Sequence, residues 1–142
     1  MIPILLRVSG FLSYRDPVEL DFSSIELACI AGPNGAGKSS LLDAITWALF
    51  GQARKRDESL INSHPDVKAA EVTLVFAYED NIYRVMRANS RGKTTQLEFQ
   101  ILQDRQRWSL GMSPVLFATV IVGKVTFVAI SSGFRAIIIS AA

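Results

Sequence analysis

A chain of 142 residues with a formal charge of +2 suits one domain with room for a sizeable core, and gives no polycation argument for nucleic acid. Its one cysteine, Cys29, excludes an internal disulfide framework and any Cys-x-x-Cys zinc site, and its apolar surroundings predict a buried, unreactive thiol. The apolar start, Met1 to Gly10, is too short for a signal peptide and lacks a basic leader, so cytoplasmic residence is the expectation.

In chain order, Ile4-Leu5-Leu6-Arg7-Val8 predicts a first strand, and Val18-Glu19-Leu20-Asp21-Phe22 alternates as a half-buried second one. Phe11 to Pro17 lies between them as a turn segment. A third strand is predicted over the mostly apolar run Ile25 to Ala31.

That run feeds Gly32-Pro33-Asn34-Gly35-Ala36-Gly37-Lys38-Ser39, which fits the phosphate-cradling pattern G-x-x-x-x-G-K-[ST] without a gap. Glycines let the loop turn its backbone N–H groups inward as a nest for nucleotide phosphates. Lys38 is then the point charge for the β- and γ-phosphates, and Ser39 the hydroxyl for Mg²⁺. A chance match in this length is about half a percent at average residue usage. Leu41, Leu42, Ile45, Ala48 and Leu49 follow at helical spacing, and Gly51 stands where a C-terminal cap belongs. Strand, loop and helix are the context the motif needs, and the helix N-terminus adds a field that favours anions.

Gln52 to Pro65 is polar and basic, a surface crossing with one short helical turn around Ser59–Asn62. His64, the only histidine, precedes Pro65 and is expected as a solvated turn residue. Three strands are predicted next, at Glu71 to Tyr78, Ile82 to Arg87 and Gln96 to Ile101, joined by polar turns at Glu79-Asp80-Asn81 and Asn89 to Lys93. They form an antiparallel β-meander. Two strands before the loop strand and a meander after its helix argue against a small P-loop kinase.

Charge changes abruptly at Trp108. Residues 1–107 hold all 13 acidic residues, while the tail 108–142 has only Lys124 and Arg135. The tail is apolar and β-branched, and three readings stay open. A membrane span is poor, because Gly123 and Lys124 fall mid-window. The others are extra strands covering the sheet, and a truncated or out-of-frame reading of a longer gene. From Asn81 to Arg107, six basic residues (Arg84, Arg87, Arg91, Lys93, Arg105 and Arg107) face two acidic ones. Such an excess is either a solvated face or the footprint of a phosphate-backbone contact that reads no bases.

Phe11-Leu12-Ser13-Tyr14, Ile30 to Ile45, and Ala48-Leu49-Phe50-Gly51 together resemble the N-terminal ATPase half of SbcC-type proteins. These are SMC-like ATPases of DNA double-strand-break repair that pair with an Mre/SbcD-type nuclease. Ile61-Asn62, Tyr83-Arg84-Val85 and Arg91-Gly92-Lys93 are also similar, so the likeness covers about residues 1–107. It implies an α/β fold of the P-loop NTPase class, the N-terminal lobe of an ABC/SMC-like head.

The resemblance further implies ATP and Mg²⁺ as cofactors, with Asn34, Gly35, Ala36, Gly37, Lys38, Ser39 and Ser40 around the triphosphate, Ser39 on the metal and Lys38 as the catalytic cation. Leu60–Asn62 is the counterpart of backbone that the family's nucleotide pocket borrows. The implied partners are sequence-independent DNA, the nuclease, a C-terminal ATPase half and a second head, with no membrane. Beyond residue 107 the glutamine loop, coiled coil, zinc hook, signature motif and Asp-Glu pair of the family are missing. Gln103 comes too early for the glutamine loop and is expected as a surface residue. Where archaeal relatives often carry an arginine, this chain has Leu12. The resemblance makes an ATPase of the intact family protein, while this chain alone is expected to lack turnover. A non-hydrolysing nucleotide- or DNA-binding fragment is the alternative, and a P-loop phosphotransferase a weaker third.

Overall fold

The structure, a computed structural model, describes residues 1–25, 27–103, 107–110 and 136–139. Alternating apolar positions set a six-stranded sheet of β1 (Ile2–Ser9), β2 (Val18–Asp21), β4 (Ala69–Tyr78), β5 (Asn81–Ser90), β6 (Gln96–Gln103) and β7 (Arg107–Leu110). Its order is β2-β1-β4-β5-β6-β7, and every neighbouring pair is antiparallel. The predicted meander is present, and β7 adds a strand to it. A two-residue turn, Glu79-Asp80, joins β4 to β5, whose closing residues Tyr78 and Asn81 pair.

The loop strand β3 (Leu27–Ile30) stands apart from this sheet and pairs in parallel with β8 (Ala136–Ile139). Of the tail, these four residues and Trp108 to Leu110 in β7 are described as strand. The run Pro114 to Val122 lies outside the described residues. Among the described residues, no helix is long and apolar enough to cross a membrane. Gln103 closes β6, and its side chain lies outside the described residues.

One helix, α1 (Lys38–Phe50), packs on one face of the sheet against β4 and β5. Its buried face runs through Leu41, Ala44, Trp47, Ala48 and Leu49. This corrects the expected stripe, because Leu42 is exposed and Ile45 only half-buried, while Ala44 and Trp47 turn inward. Leu6, Val8, Val72, Leu74, Phe76, Val85 and Phe99 cover the same core from the strands. Gly51 ends the helix in the left-handed region (φ 70°), and its N–H returns to the Trp47 carbonyl at 2.8 Å.

Two further expectations need correction. Cys29 is exposed, not buried, because its strand belongs to the two-stranded sheet and not to the one that α1 covers. Phe11 is fully buried and its ring lies 5.2 Å from that of Trp47, so the turn after β1 reaches into the core. A short turn does follow α1, as a 3₁₀ segment at Asp57–Leu60, earlier than Ser59–Asn62. His64 lies partly exposed in a turn, its Nδ1 3.4 Å from Asp66 Oδ2.

Candidate functional site

The loop after β3 gains its shape from glycines in the left-handed region, Gly35 at φ 86° and Gly37 at φ 88°. Gly37 is also the N-cap of α1, and it brings no capping side chain. The first amides of the helix are therefore left for a ligand, and no acidic residue occupies the first turn. Ala36 N–H donates to the Pro33 carbonyl at 3.2 Å, closing the turn.

Lys38 is buried at the foot of the loop. Its Nζ donates to the Gly32 carbonyl and, at 2.9 Å, to that of Pro33. The ammonium is thus folded back over the loop it belongs to, where anionic oxygens would outcompete neutral carbonyls.

A cleft of about 200 Å³ opens here, lined by Ser13, Asn34, Gly35, Gly37, Lys38, Ser39, Ser40 and Arg54. Six of the seven expected residues thus converge on one cavity. Ala36 is in the loop but does not line the cleft.

Ser13 and Arg54 are residues that motif reasoning does not reach. Ser13 Oγ lies 3.0 Å from Ser40 Oγ. The neighbouring Tyr14 donates its hydroxyl to the Gly37 carbonyl at 3.3 Å, and burial raises its pKa above the ordinary phenol value. A Cβ on Gly37 would meet Ser13 Cβ at 3.3 Å and Tyr14 Cζ at 3.5 Å, so the turn after β1 forms one wall of the phosphate loop. The signal for this wall is the Ser-Tyr pair after Phe11, in a segment that reads as a plain turn.

That wall is braced by the segment after the 3₁₀ turn. Leu12 N–H donates to the Leu60 carbonyl at 2.8 Å, and Asn62 Nδ2 to the Leu12 carbonyl at 2.6 Å. Of Leu60–Asn62, none lines the phosphate cleft. Ile61 instead lines an adjoining hollow with Leu12, Lys55, Glu58, Ser59, Ser63 and Arg91.

Arg54 comes from the crossing after α1. Its Nε donates to Asp43 Oδ2 at 2.7 Å, and its own N–H lies 3.3 Å from Asp43 Oδ1. Asp43 is a buried residue of α1.

The basic residues of the meander do not form one surface. Val72 pairs with Arg87 and Val75 with Arg84; three residues apart on a strand, they point to opposite faces. Arg87 faces α1 and donates to the Ala48 carbonyl from Nε at 3.4 Å and Nη2 at 3.3 Å. Burial lowers its pKa from the ordinary guanidinium value. Arg84 is on the outer face, bonded to Gln100 and 4.3 Å from the Trp108 ring centre.

A phosphate-loop helix packed on an antiparallel sheet, with the loop at the helix N-terminus, defines the N-terminal lobe of a P-loop NTPase head. The chain belongs to the AAA domain family, which matches residues 5–111. Within that class it is of the SbcC/Rad50 type. It is 37% identical over 93 residues to the SbcC component of the SbcCD nuclease of Deinococcus radiodurans, covering 64% of this chain and 10% of that protein. Against the DNA double-strand break repair Rad50 ATPase of Thermoplasma volcanium it is 37% identical over 117 residues, covering 81% of this chain and 13% of that protein. The chain therefore spans about a tenth of the length of these relatives. Among solved structures, the SMC head domain from Thermotoga maritima is similar with a TM-score of 0.58 and 27% identity, over 72% of this chain and 39% of that one.

Proposed function

We propose that residues 1–107 are the nucleotide half-site of an SMC-like ATPase that works with an Mre/SbcD-type nuclease in DNA double-strand-break repair. The observation that carries this reading is the convergence of Asn34, Gly35, Gly37, Lys38, Ser39 and Ser40 on one cleft at an uncapped helix N-terminus. Loop amides and the helix field hold a triphosphate there. Lys38 leaves the Gly32 and Pro33 carbonyls for phosphate oxygens and stabilises the charge that develops on the transferred group.

The donor set suits Mg²⁺. Ser39, at the start of α1, brings an exposed hydroxyl to the cleft, as Ser13 does from the facing turn, and Mg²⁺ takes few protein ligands when phosphate oxygens and waters complete its octahedron. Its chemistry would be to neutralise phosphate charge while Ser39 fixes its place.

The half-site needs a second half. No Asp or Glu follows Asp104, whereas in-line attack on the γ-phosphorus needs a carboxylate or equivalent to position water. A C-terminal ATPase half and a second head supply those groups in this reading, and DNA is held without base readout. The intact protein works in the cytoplasm.

The test is turnover. The chain alone should show none above a Lys38→Ala control, and mixing it with the C-terminal ATPase half of a close relative should produce Lys38-dependent hydrolysis. Robust turnover by the chain alone, lost in Lys38→Ala, would contradict the half-site and favour a complete enzyme.

A further inference from the structure

Among the described residues, Arg54 is the one cleft-lining side chain contributed from beyond α1, and Lys38 is the one other cation that lines the cleft. The guanidinium is 62% exposed, while the carboxylate it meets, Asp43, is 9% exposed. This asymmetry separates the pair from a surface salt bridge. Asp43 sits on the phosphate-loop helix, one turn after Ser39, in a place where an unpaired carboxylate would be costly. It takes the Nε of Arg54 at 2.7 Å and lies 3.3 Å from the Arg54 backbone N–H. The arginine is thus anchored through its Nε and its main chain.

A guanidinium has five N–H donors in a planar fork, and Nε supplies one of them. Among the described residues, the two Nη groups have no hydrogen-bond partner. They belong to a side chain that lines the same cleft as Lys38, Ser39 and Asn34. A fork held at its stem with its tips free is suited to a phosphate oxygen pair, which guanidinium binds in a bidentate manner.

We propose that Arg54 is a second phosphate-binding cation of this site, and that Asp43 is the positioning residue that aims it. This rests on the nucleotide half-site reading above. The ligand chemistry is the polyphosphate chain itself, not the base or sugar. Arg54 stands about sixteen positions after Lys38 in sequence, so the segment after the helix reports on the phosphates that the helix N-terminus binds. An exposed guanidinium also reorders less of the fold when it lets go than a buried one.

Calorimetric titration of Mg·ATP and of Mg·tripolyphosphate into the full chain and its variants tests this. Arg54→Gln should weaken both probes by about ten- to a hundredfold, the scale of a charged hydrogen bond to phosphate, in a protein that still melts cooperatively although Asp43 has lost its partner. Arg54→Lys should recover only part of the loss, because an ammonium cannot fork. Asp43→Asn should lose as much affinity as Arg54→Gln, and the double variant should lose no more than either alone. Additive losses would reduce Asp43 to a structural role and overturn its part of the proposal.

Wild-type affinity of Arg54→Gln for both probes, with Lys38→Ala defective, would overturn the role of Arg54 and leave the half-site standing. Loss for ATP with none for tripolyphosphate would place Arg54 on the nucleoside and also overturn it. No binding of either probe by the unmodified chain would overturn the half-site together with this inference.

Discussion

Arg87 on β5 donates twice to the carbonyl oxygen of Ala48, in the last turn of the phosphate-loop helix. It also lies 5.8 Å from the centre of the Trp47 ring. A cation at this end of a helix opposes the negative pole of its dipole, so the meander holds the far end of the helix whose near end meets the phosphates. Replacing Arg87 by Gln should cost about 1.5–3 kcal/mol, the range for a hydrogen bond to a charged group. Urea unfolding would read it, with Arg7→Gln as the control. Arg7 and Glu19 are more than half exposed at 3.7 Å, and such a pair contributes about 0–1 kcal/mol. Equal losses in the two variants would refute the helix-end role.

The same geometry changes what is expected of DNA binding. Arg87 is engaged beneath the sheet, whereas Arg91 and Lys93 lie in an exposed turn and Arg84 is on the outer face. Replacing Arg84, Arg91 and Lys93 by Gln should flatten the salt dependence of duplex binding, as fewer counterions are released. Arg87→Gln should leave the slope unchanged. Fluorescence anisotropy across a salt series distinguishes the two, and a flattened slope in Arg87→Gln would place that side chain on the DNA.

Gly10 is the residue at which substitution should do most harm. It has φ +60°, and a Cβ there would stand 2.0 Å from the Ala69 carbonyl oxygen and 2.9 Å from Val67 Cγ1. Main chain cannot yield as a side chain tip can. Gly10→Ala should destabilise the fold by more than about 3 kcal/mol, beyond the roughly 1–3 kcal/mol of a strained backbone position alone. Gly92→Ala, also at positive φ (+69°) but in open space, should cost only about 1 kcal/mol. Thermal melts of the two variants separate steric from conformational cost, and similar losses would show that the contact with Ala69 relaxes.

How far these features are legible in the sequence depends on whether neighbours in sequence are also neighbours in space. The phosphate loop, its flanking strand and helix, the Gly51 cap and the meander are local patterns, and each is where its spacing puts it. The second wall of the cleft is not local. Ser13 meets Ser40 across 27 positions, through a turn whose Phe11 reads as a loop residue because so short a segment, broken by Ser13, Arg15, Asp16 and Pro17, shows no strand or helix periodicity. Arg54 reads as one of three surface cations until Asp43 turns it toward the cleft. The split of Arg84 from Arg87 is legible in principle, since an odd separation on a strand changes face. Counting charges along the chain hides it. Cys29 reads as buried because an apolar run signals burial without saying how many strands will cover it.

The most direct test of the half-site is the affinity of the phosphate loop with and without its lysine. Isothermal titration of Mg·ATP into the purified chain should give measurable binding, and Lys38→Ala should weaken it by about 1.5–3 kcal/mol, the value of a hydrogen bond to a charged group. The loop backbone and Ser39 remain in that variant, so residual binding is expected. Undiminished Mg·ATP affinity in Lys38→Ala would contradict the account, because Lys38 would then be no more than a clasp on the Gly32 and Pro33 carbonyls.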